Sequence, residues 1–325
     1  MSQQQVDSLP TRIPGRKPLI GEFVFFLLAL AWPFVAGTYG TGLITETLIF
    51  AIAAMSLDLL MGYSGLVSFG HAAFFGVGAY ALALTGMRLG LDPWLGIVAA
   101  IAASAVTALV IGYFCVRVSG VAFIMLTLAF AQLLFSAAVK WRGFSGGSDG
   151  IGGFARPEIA GISLNDPLYM YFFCLLAFVL SLWLLRRIIS SQFGHALIGL
   201  RENETRMKAL GYSTDRLKLC AFVISGAFAG LSGALYAIYN SFVSPDALSF
   251  AQSGMFLLIV VLGGVGSLVG PAIGAVVFLL MKQFVSSHTE HWLLIVGIVF
   301  VCCVMFFRSG IYGFFKQWQD RRART

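Results

Sequence analysis

The sequence predicts an all-α integral membrane protein: a polytopic bundle of about 8–10 membrane-spanning helices with glycine-broken or re-entrant segments. Three observations indicate this class: a very apolar composition, long apolar runs, and basic residues confined to a few stretches between them. Hydrophobic residues make up 59% of the 325 residues and charged residues 11%, whereas soluble domains are about 45–50% apolar and about 25% charged. With a mean hydropathy of +0.89, so much apolar surface requires a bilayer as its solvent.

The predicted spans are apolar runs long enough to cross a hydrocarbon core about 30 Å thick. They lie at about residues 20–38, 42–61, 66–85, 93–113, 119–139, 168–186, 217–239, 254–282 and 292–307. Residues 1–19 are polar and basic, and no clear cleavage site follows the first run, so we expect an uncleaved cytoplasmic tail there. A transmembrane domain is then predicted over residues 20–307 and a basic cytoplasmic tail over 308–325.

Basic residues set the predicted orientation, because Lys and Arg favour cytoplasmic loops. Arg12, Arg16 and Lys17 place the N-terminus inside. Counting spans from there places the glycine-rich stretch 142–166 outside, and likewise the loop 240–253, which has no Lys or Arg. It places the stretch 186–218, with seven basic and three acidic side chains, inside. The net charge of +7 is therefore assigned to cytoplasmic loops and not to a nucleic-acid-binding surface.

The run 254–282 does not fit a single crossing, because one crossing would leave the basic C-terminal tail outside. The run contains V-L-G-G-V-G-S-L-V-G-P-A-I-G, and glycine and proline break helices. We therefore expect it to reverse direction, either as a re-entrant hairpin or as two short spans with the first helix beginning near Pro245. Both termini then lie in the cytoplasm.

A second glycine-rich interruption is predicted in the first half of the chain, at M-G-Y-S-G-L-V-S-F-G-H-A-A-F-F-G-V-G-A, residues 61–79. Non-helical backbone at membrane depth is tolerated where it faces protein or a water-filled path. Paired interruptions in two halves of a chain indicate a transport path built from repeats.

Small residues in the run 217–239 predict close helix packing. Ser225, Ala229 and Gly233 recur every four residues, as do Gly226 and Gly230. Small side chains at this spacing let two helices approach closely in lipid.

The cytoplasmic loop over residues 190–216 has a helical pattern of its own. Its expected apolar face comprises Ala196, Leu200, Asn203, Met207 and Leu210. Asn203 is a candidate helix N-cap, and Gly211 suits the position just past the helix end. Such a helix either anchors on lipid headgroups or docks a cytoplasmic partner. We expect exposed charged side chains at Arg201, Glu202, Glu204, Arg206 and Lys208, and this mixture of acidic and basic side chains favours docking.

Several chemistries lack their signatures in this sequence. It has no G-x-x-x-x-G-K-[ST], so we expect no ATP binding by a P-loop in this chain. Its four histidines and five cysteines show no zinc spacing, and neither a Ser-His-Asp nor a paired-carboxylate arrangement stands out. We therefore expect no enzyme activity, no bound cofactor and no metal.

Several separated motifs resemble the branched-chain amino-acid ABC permeases of the Liv type, M-like subunit. They are the two glycine-rich segments, G-G-S-D-G-I-G-G at 146–153, and G-H-A-L-I-G-L-R-E-N-E-T-R-M-K-A-L-G-Y followed by K-L-C-A-F-V-I-S-G-A-F-A-G-L-S-G-A-L-Y. The resemblance covers about residues 45–310. It implies a second related permease, two ATP-binding subunits that hold ATP and Mg, an extracytoplasmic solute-binding protein, and a place in the bacterial inner membrane.

The resemblance also implies two sets of site residues. The set that couples to the ATPase is Arg201, Glu202, Asn203, Glu204, Arg206, Met207, Leu210 and Gly211. The set that lines the substrate path is Tyr63, Ser64, Gly65, Ser68, His71, Phe75, Gly263, Gly264 and Gly266.

Helix ends opened by glycine offer N–H and C=O groups to a zwitterion, and Ser64, Ser68 and His71 add polar contacts. For His71 an interhelical hydrogen bond, and for Phe75 lipid or core packing, are the structural alternatives. Asp58 lies near the end of its run, where it either pairs with a base on a neighbouring helix or caps glycine-rich backbone.

Other functions stay open at this point. A permease of the same family for urea, short amides or aromatic acids has the same motifs. A stand-alone secondary transporter or channel usually carries ionisable residues inside its spans, and here these are at most Glu46, Asp58 and His71.

Overall fold

A computed structural model describes residues 20–90, 92–154, 156–159, 162–288, 294–295, 297–298 and 310–313. The predicted N-terminal tail and most of both the run 292–307 and the tail 308–325 lie outside the described residues.

The described chain is almost entirely helical, which confirms the all-α class. Its helices are α1 (Ile20–Asp58), α2 (His71–Leu89), α3 (Pro93–Cys115), α4 (Val121–Lys140), α5 (Arg142–Ser145), α6 (Pro167–Ile189), α7 (Gln192–Glu202), α8 (Glu204–Ala209), α9 (Thr214–Asn240), α10 (Phe250–Gly263) and α11 (Val269–Ser286). A π-helical turn, Leu59–Tyr63, continues α1, and short 3-10 turns span Gly147–Asp149 and Pro245–Leu248. Among the described residues, seven helices are long and apolar enough to cross a membrane, and α10 is a shorter apolar helix.

The first two predicted runs join in α1, which turns at Gly37. This glycine has φ 65° and ψ −179°, a backbone conformation that residues with a side chain rarely adopt. The part of α1 beyond Gly37 forms the centre of the bundle, with 83% of its most apolar stretch buried, whereas the corresponding value for α4 is 17%.

Local sequence determines where two of the spans begin. Asp92 accepts a hydrogen bond of 3.0 Å from Trp94 N, and Asp166 accepts one of 2.8 Å from Leu168 N. In both cases a proline occupies the first helical position, where its missing N–H is harmless. These Asp-Pro pairs start α3 and α6.

Helix α9 packs closely on α1, α2 and α3 through its small residues, as predicted. A Cβ atom on Gly233 would overlap the carbonyl group of Phe75 in α2, and one on Gly230 would overlap Ser104 in α3. Ser232 Oγ donates a hydrogen bond of 2.6 Å to Ile49 O in α1. The small side chains therefore permit backbone approach and cross-helix hydrogen bonding together.

Four short strands lie in the loops that the structure describes. β1 (Ile151–Gly152) pairs antiparallel with β4 (Phe242–Val243), and β2 (Glu158–Ile159) pairs with β3 (Ile162–Ser163). The first pairing joins the two loops that were both predicted to lie outside, so they do lie at the same end of the bundle.

The run 254–282 reverses direction, as the charge pattern required. A Cβ on Gly263 of α10 would overlap Gly270 of α11, and one on Gly274 would overlap the carbonyl of Ile259. These crossed pairs show that α10 and α11 run antiparallel as a hairpin around the non-helical residues 264–268. Helix α10 begins at Phe250 and not near Pro245 as predicted, because a 3-10 turn over Pro245–Leu248 precedes it.

Candidate translocation and coupling site

The two glycine-rich interruptions meet in the fold. The first break comprises the π-helical turn Leu59–Tyr63 and the non-helical residues 64–70, and the second break comprises residues 264–268. A Cβ on Gly62 would lie 2.5 Å from Gly266 N and 2.6 Å from Gly266 Cα. The backbones of the two breaks are therefore in direct contact.

Asp58 joins the two breaks. Its Oδ1 accepts a hydrogen bond of 2.7 Å from Gly266 N, and its side chain is fully buried. Of the two roles left open for this carboxylate, the structure shows the cap on glycine-rich backbone. Its second oxygen, Oδ2, has no hydrogen-bond partner within the part of the chain that the structure describes.

Arg201 lies against the same junction, although the loop pattern predicted that it would be displayed at the surface. Its side chain is half-buried, and Nη1 donates a hydrogen bond to Gly62 O. Its Cγ lies close to Gly65, within 2.9 Å of where a Cβ would be. The guanidinium also interacts electrostatically with Asp58. Arg201 thus leaves the exposed surface of its helix because an acceptor carbonyl of the first break faces it.

His71 makes an interhelical hydrogen bond, the structural alternative considered for it. Ser56 Oγ donates 2.7 Å to Ala53 O and lies 2.7 Å from His71 Nε2, so the ring nitrogen acts as the donor to Ser56. The imidazole is fully buried and packs nearly perpendicular to the rings of Phe74 and Phe256.

The other predicted path residues are mostly enclosed by the chain itself. Ser64 Oγ donates to Leu60 O at 2.7 Å, and Ser68 Oγ accepts from Gly70 N at 3.2 Å, so both hydroxyls are engaged with backbone. Phe75 packs on Phe50, Tyr236 and Phe256. Tyr63, Ser64, Ser68, His71, Phe75, Gly263 and Gly264 are buried, Gly266 is half-buried, and Gly65 is exposed. Their role as path lining stays a prediction.

A groove that the sequence did not indicate runs along α4. It has a volume of about 370 Å³ and is lined by Met125, Leu128, Ala129, Gln132 and Phe250. Gln132 is exposed although its helix is apolar. An amide in contact with lipid alone is costly, so this surface calls for a protein or water neighbour.

The cytoplasmic loop folds as α7 and α8 joined at Asn203. The Asn203 side chain accepts a hydrogen bond of 2.9 Å from Arg206 N, which confirms the predicted cap. Gly211 follows α8 with φ 86°, as predicted for a residue past the helix end. Met207 is buried beside Gly199. Leu210 does not share the predicted apolar face, because the chain breaks at Asn203 and turns again after α8, which leaves Leu210 67% exposed.

An ion pair that the sequence did not predict ties α8 to α9. Lys218 Nζ is 2.8 Å from Glu204 Oε1, and the Lys218 side chain is only 5% exposed. Lys208 binds the same oxygen at 2.9 Å. Partial burial alone would raise the pKa of Glu204, but the hydrogen bonds from Lys218 and Lys208 outweigh it and lower the pKa. The i, i+4 spacing signals the Lys208 contact. The Lys218 contact spans 14 positions and has no local signal.

The surface of this loop carries charged and apolar side chains together. Glu202 and Arg206 are exposed, and Tyr212 is 50% exposed next to Gly211 and Leu210. Large apolar side chains exposed outside an apolar span are typical of binding surfaces.

A bundle of apolar spans, with interrupted helices that meet beneath a folded polar loop, defines the chain as the membrane-embedded subunit of a transporter, a class of permeases and not of enzymes. More specifically, the chain belongs to the family of branched-chain amino acid transport system permease components, which matches residues 39–304. Members of this family are ABC importer permeases.

The curated relatives of this chain are also named as permease proteins of branched-chain amino acid transport systems. The chain is 31% identical over 308 residues to the high-affinity branched-chain amino acid transport system permease protein LivM of Salmonella typhimurium, covering 88% of this chain and 72% of the relative. It is 30% identical to LivM of Escherichia coli K12 over the same shares. It is 22% identical over 286 residues to LivH of Escherichia coli K12, covering 81% of this chain and 91% of the relative. No solved structure matches the chain.

Proposed function

We propose that this chain is the permease subunit of an inner-membrane ABC importer that, with a second related permease, forms the path for branched-chain or related amino acids. ATP hydrolysis, with its Mg, takes place in two partner subunits, and a solute-binding protein delivers the solute outside. Similarity to relatives named as branched-chain amino acid permeases supports the solute class. Similarity to both LivM and LivH supports a pair of related permeases.

The observation that carries this proposal is the surface of the cytoplasmic loop. Leu210 and Tyr212 project from the end of α8, and exposed acidic and basic side chains flank them. A helix that anchors on anionic lipid uses basic residues, and acids such as Glu202 oppose that attraction. Protruding apolar side chains flanked by charges of both signs suit a groove on a folded partner, here the ATP-binding subunit.

The groove on α4 is our candidate for the contact with the second permease. Helix α4 is the least buried of the seven long apolar helices, and its exposed side carries Gln132. A neighbouring permease, or the water-filled path between two permeases, removes the amide from lipid.

The orientation follows from the same features. With the 190–216 loop inside, Arg201, the two breaks and residues 310–313 lie at the cytoplasmic end, because a Cβ on Gly310 would overlap Gly264. This arrangement supports a cytoplasmic C-terminus, and the basic residues before the first span support a cytoplasmic N-terminus.

The test is purification of the tagged chain from its native membrane in mild detergent, with mass spectrometry of the proteins that accompany it. We expect a second permease of this family and two P-loop ATPases. Recovery of the chain alone, in a detergent that preserves a known ABC complex, would contradict the proposal and favour a stand-alone transporter or channel.

A matched pair of variants locates the docking surface. Leu210→Ser should reduce the recovered ATPase strongly, because it removes the apolar contact. Leu89→Ser changes an equally exposed leucine, 65% against 67%, at the end of α2, and should leave recovery unchanged. Equal recovery with both variants would place the ATPase elsewhere on the chain.

A further inference from the structure

Four segments converge where the cytoplasmic loop meets the helix breaks. They are the end of α1 at Asp58, the first break at Gly62, the second break at Gly266, and α7 at Arg201. A Cβ atom added at Gly266 would lie 3.5 Å from Arg201 Nη1, and the same nitrogen donates a hydrogen bond to Gly62 O. One guanidinium therefore lies between both breaks.

The contacts of Arg201 differ from those of the other loop cations. Lys208 and Lys218 bind Glu204 within the loop and the start of α9, and the Arg206 side chain is exposed. Arg201 instead donates to a backbone carbonyl 139 positions earlier in the chain and lies beside a buried carboxylate. The N–H of Leu66, the α-helical donor to Gly62 O, binds Leu60 O instead, so the bond with Arg201 stabilises this interrupted backbone.

We propose that Arg201 is a positioning residue that ties the cytoplasmic loop to both helix breaks, so that a displacement of the loop is transmitted to the breaks. The inference rests on the proposed function, in which the loop receives the movement of the ATPase. The connection is mechanical: α7 carries Arg201, Arg201 holds Gly62, and Asp58 holds Gly266. Asp58 lies at the same junction, where its Oδ1 accepts from Gly266 N and its Oδ2 has no hydrogen-bond partner within the described residues.

This role predicts that loss of the Arg201 contact loosens the first break without loss of the fold. Ser64, next to exposed Gly65, is a suitable reporter because its side chain is buried. In a chain whose native cysteines are replaced by alanine, Ser64→Cys introduces a thiol that N-ethylmaleimide modifies only when the break opens. The labelling rate in inverted membrane vesicles thus measures opening of the break.

Arg201→Gln should raise the labelling rate about tenfold or more, because a hydrogen bond from a charged donor is lost from the closed state. Arg206→Gln, a change of the same kind on the exposed side of α8, should leave the rate unchanged. Arg201→Lys keeps the charge but not the forked donor, and should give an intermediate rate. Arg201→Lys also tests the contact with the first break if Arg201→Gln does not fold.

A second readout separates transmission from a purely structural role. In the complex with its ATPases, Arg201→Gln should retain the recovered ATPase and ATP hydrolysis but lose uptake of radiolabelled leucine per ATP hydrolysed. A structural role alone would lower the amount of folded complex and leave that ratio unchanged, which would overturn the inference.

Unchanged labelling in a folded Arg201 variant, or an equal increase with Arg206→Gln, would also overturn it. The labelling experiment requires this chain alone, so it tests the contact between Arg201 and the breaks even if no ATPase accompanies the wild-type protein. Absence of an ATPase would contradict the proposed function and not this inference.

Discussion

Asp58 Oδ1 accepts a hydrogen bond of 2.7 Å from the backbone N–H of Gly266, which lies 208 positions further along the chain. A carboxylate at the end of one interrupted span thereby caps the non-helical backbone of the other. Because the group is fully buried, its desolvation has to be offset by such contacts. The two breaks are consequently parts of one site, and changes in either should affect both.

Gly62 has no room for additional volume at the contact between the two breaks. Gly62→Ala places a methyl group on the Asp58 carboxylate and on the Gly266 backbone, and we expect a loss of about 1–3 kcal/mol of stability. Gly254→Ala in α10, where nothing lies within 4 Å of the added atom, should be neutral or stabilising because alanine favours helix. Melting of both variants in detergent checks this, and equal melting temperatures would contradict the contact.

Close packing of α2 on α9 gives a second prediction. In Gly233→Ala the new methyl group overlaps the Phe75 carbonyl, and the two helices must separate, again at a cost of about 1–3 kcal/mol. The control is Gly86→Ala, whose nearest neighbour is Phe154 Cβ at an ordinary 3.6 Å. The folded fraction on size-exclusion chromatography should fall for Gly233→Ala alone.

The Ser56–His71 pair should behave as a coupled unit. Ser56→Ala leaves the buried His71 ring nitrogen without its acceptor, at a cost of about 1–3 kcal/mol. His71→Phe should cost less through this contact, because the Ser56 hydroxyl still donates to Ala53 O. The double variant removes both partners and should cost less than the sum of the two single changes. Additive losses in the double-mutant cycle would show that the 2.7 Å contact contributes nothing to stability.

The Glu204–Lys218 pair should respond asymmetrically to truncation. Glu204→Ala leaves Lys218, almost fully buried, as an unpaired cation, and we expect a loss of about 1–3 kcal/mol. Lys218→Met leaves Glu204 partly exposed and still bonded to Lys208, so the loss should be smaller. Thermal melting of the two variants measures the difference, and the reverse order would contradict the buried position of Lys218.

The same pair predicts a pH dependence. The pKa of Glu204 is lower in the folded chain than its ordinary value of 4.5, so the folded state favours the ionised form. Its contribution to stability is therefore complete above pH 4.5 and is lost as the pH falls through the lower folded pKa. The difference in melting temperature between the wild type and Glu204→Gln should be constant from neutral pH to about pH 5 and shrink at lower pH. A difference that grows on acidification would contradict this sign.

Most of the architecture could be predicted from the sequence, because the positions of membrane helices depend on local composition and on the preferences of single residues. Composition and run length predict spans, and the glycines of residues 261–274 predict the reversal between α10 and α11. The cap at Asn203 and the turn at Gly211 likewise follow from the preferences of single residues.

The site itself depends on contacts between distant parts of the chain, and these only the tertiary structure decides. Nothing local distinguishes a capping Asp58 from an ion-paired one, since its partner Gly266 is brought to it by the packing of α1 against the α10–α11 hairpin. The loop pattern predicts that Arg201 is exposed like the other charged residues, but its hydrogen bond to Gly62 O directs the side chain towards the breaks. Lys218 is buried because α8 folds back onto the start of α9. Helix periodicity assigns a side chain to a face, whereas burial depends on which other segment covers that face.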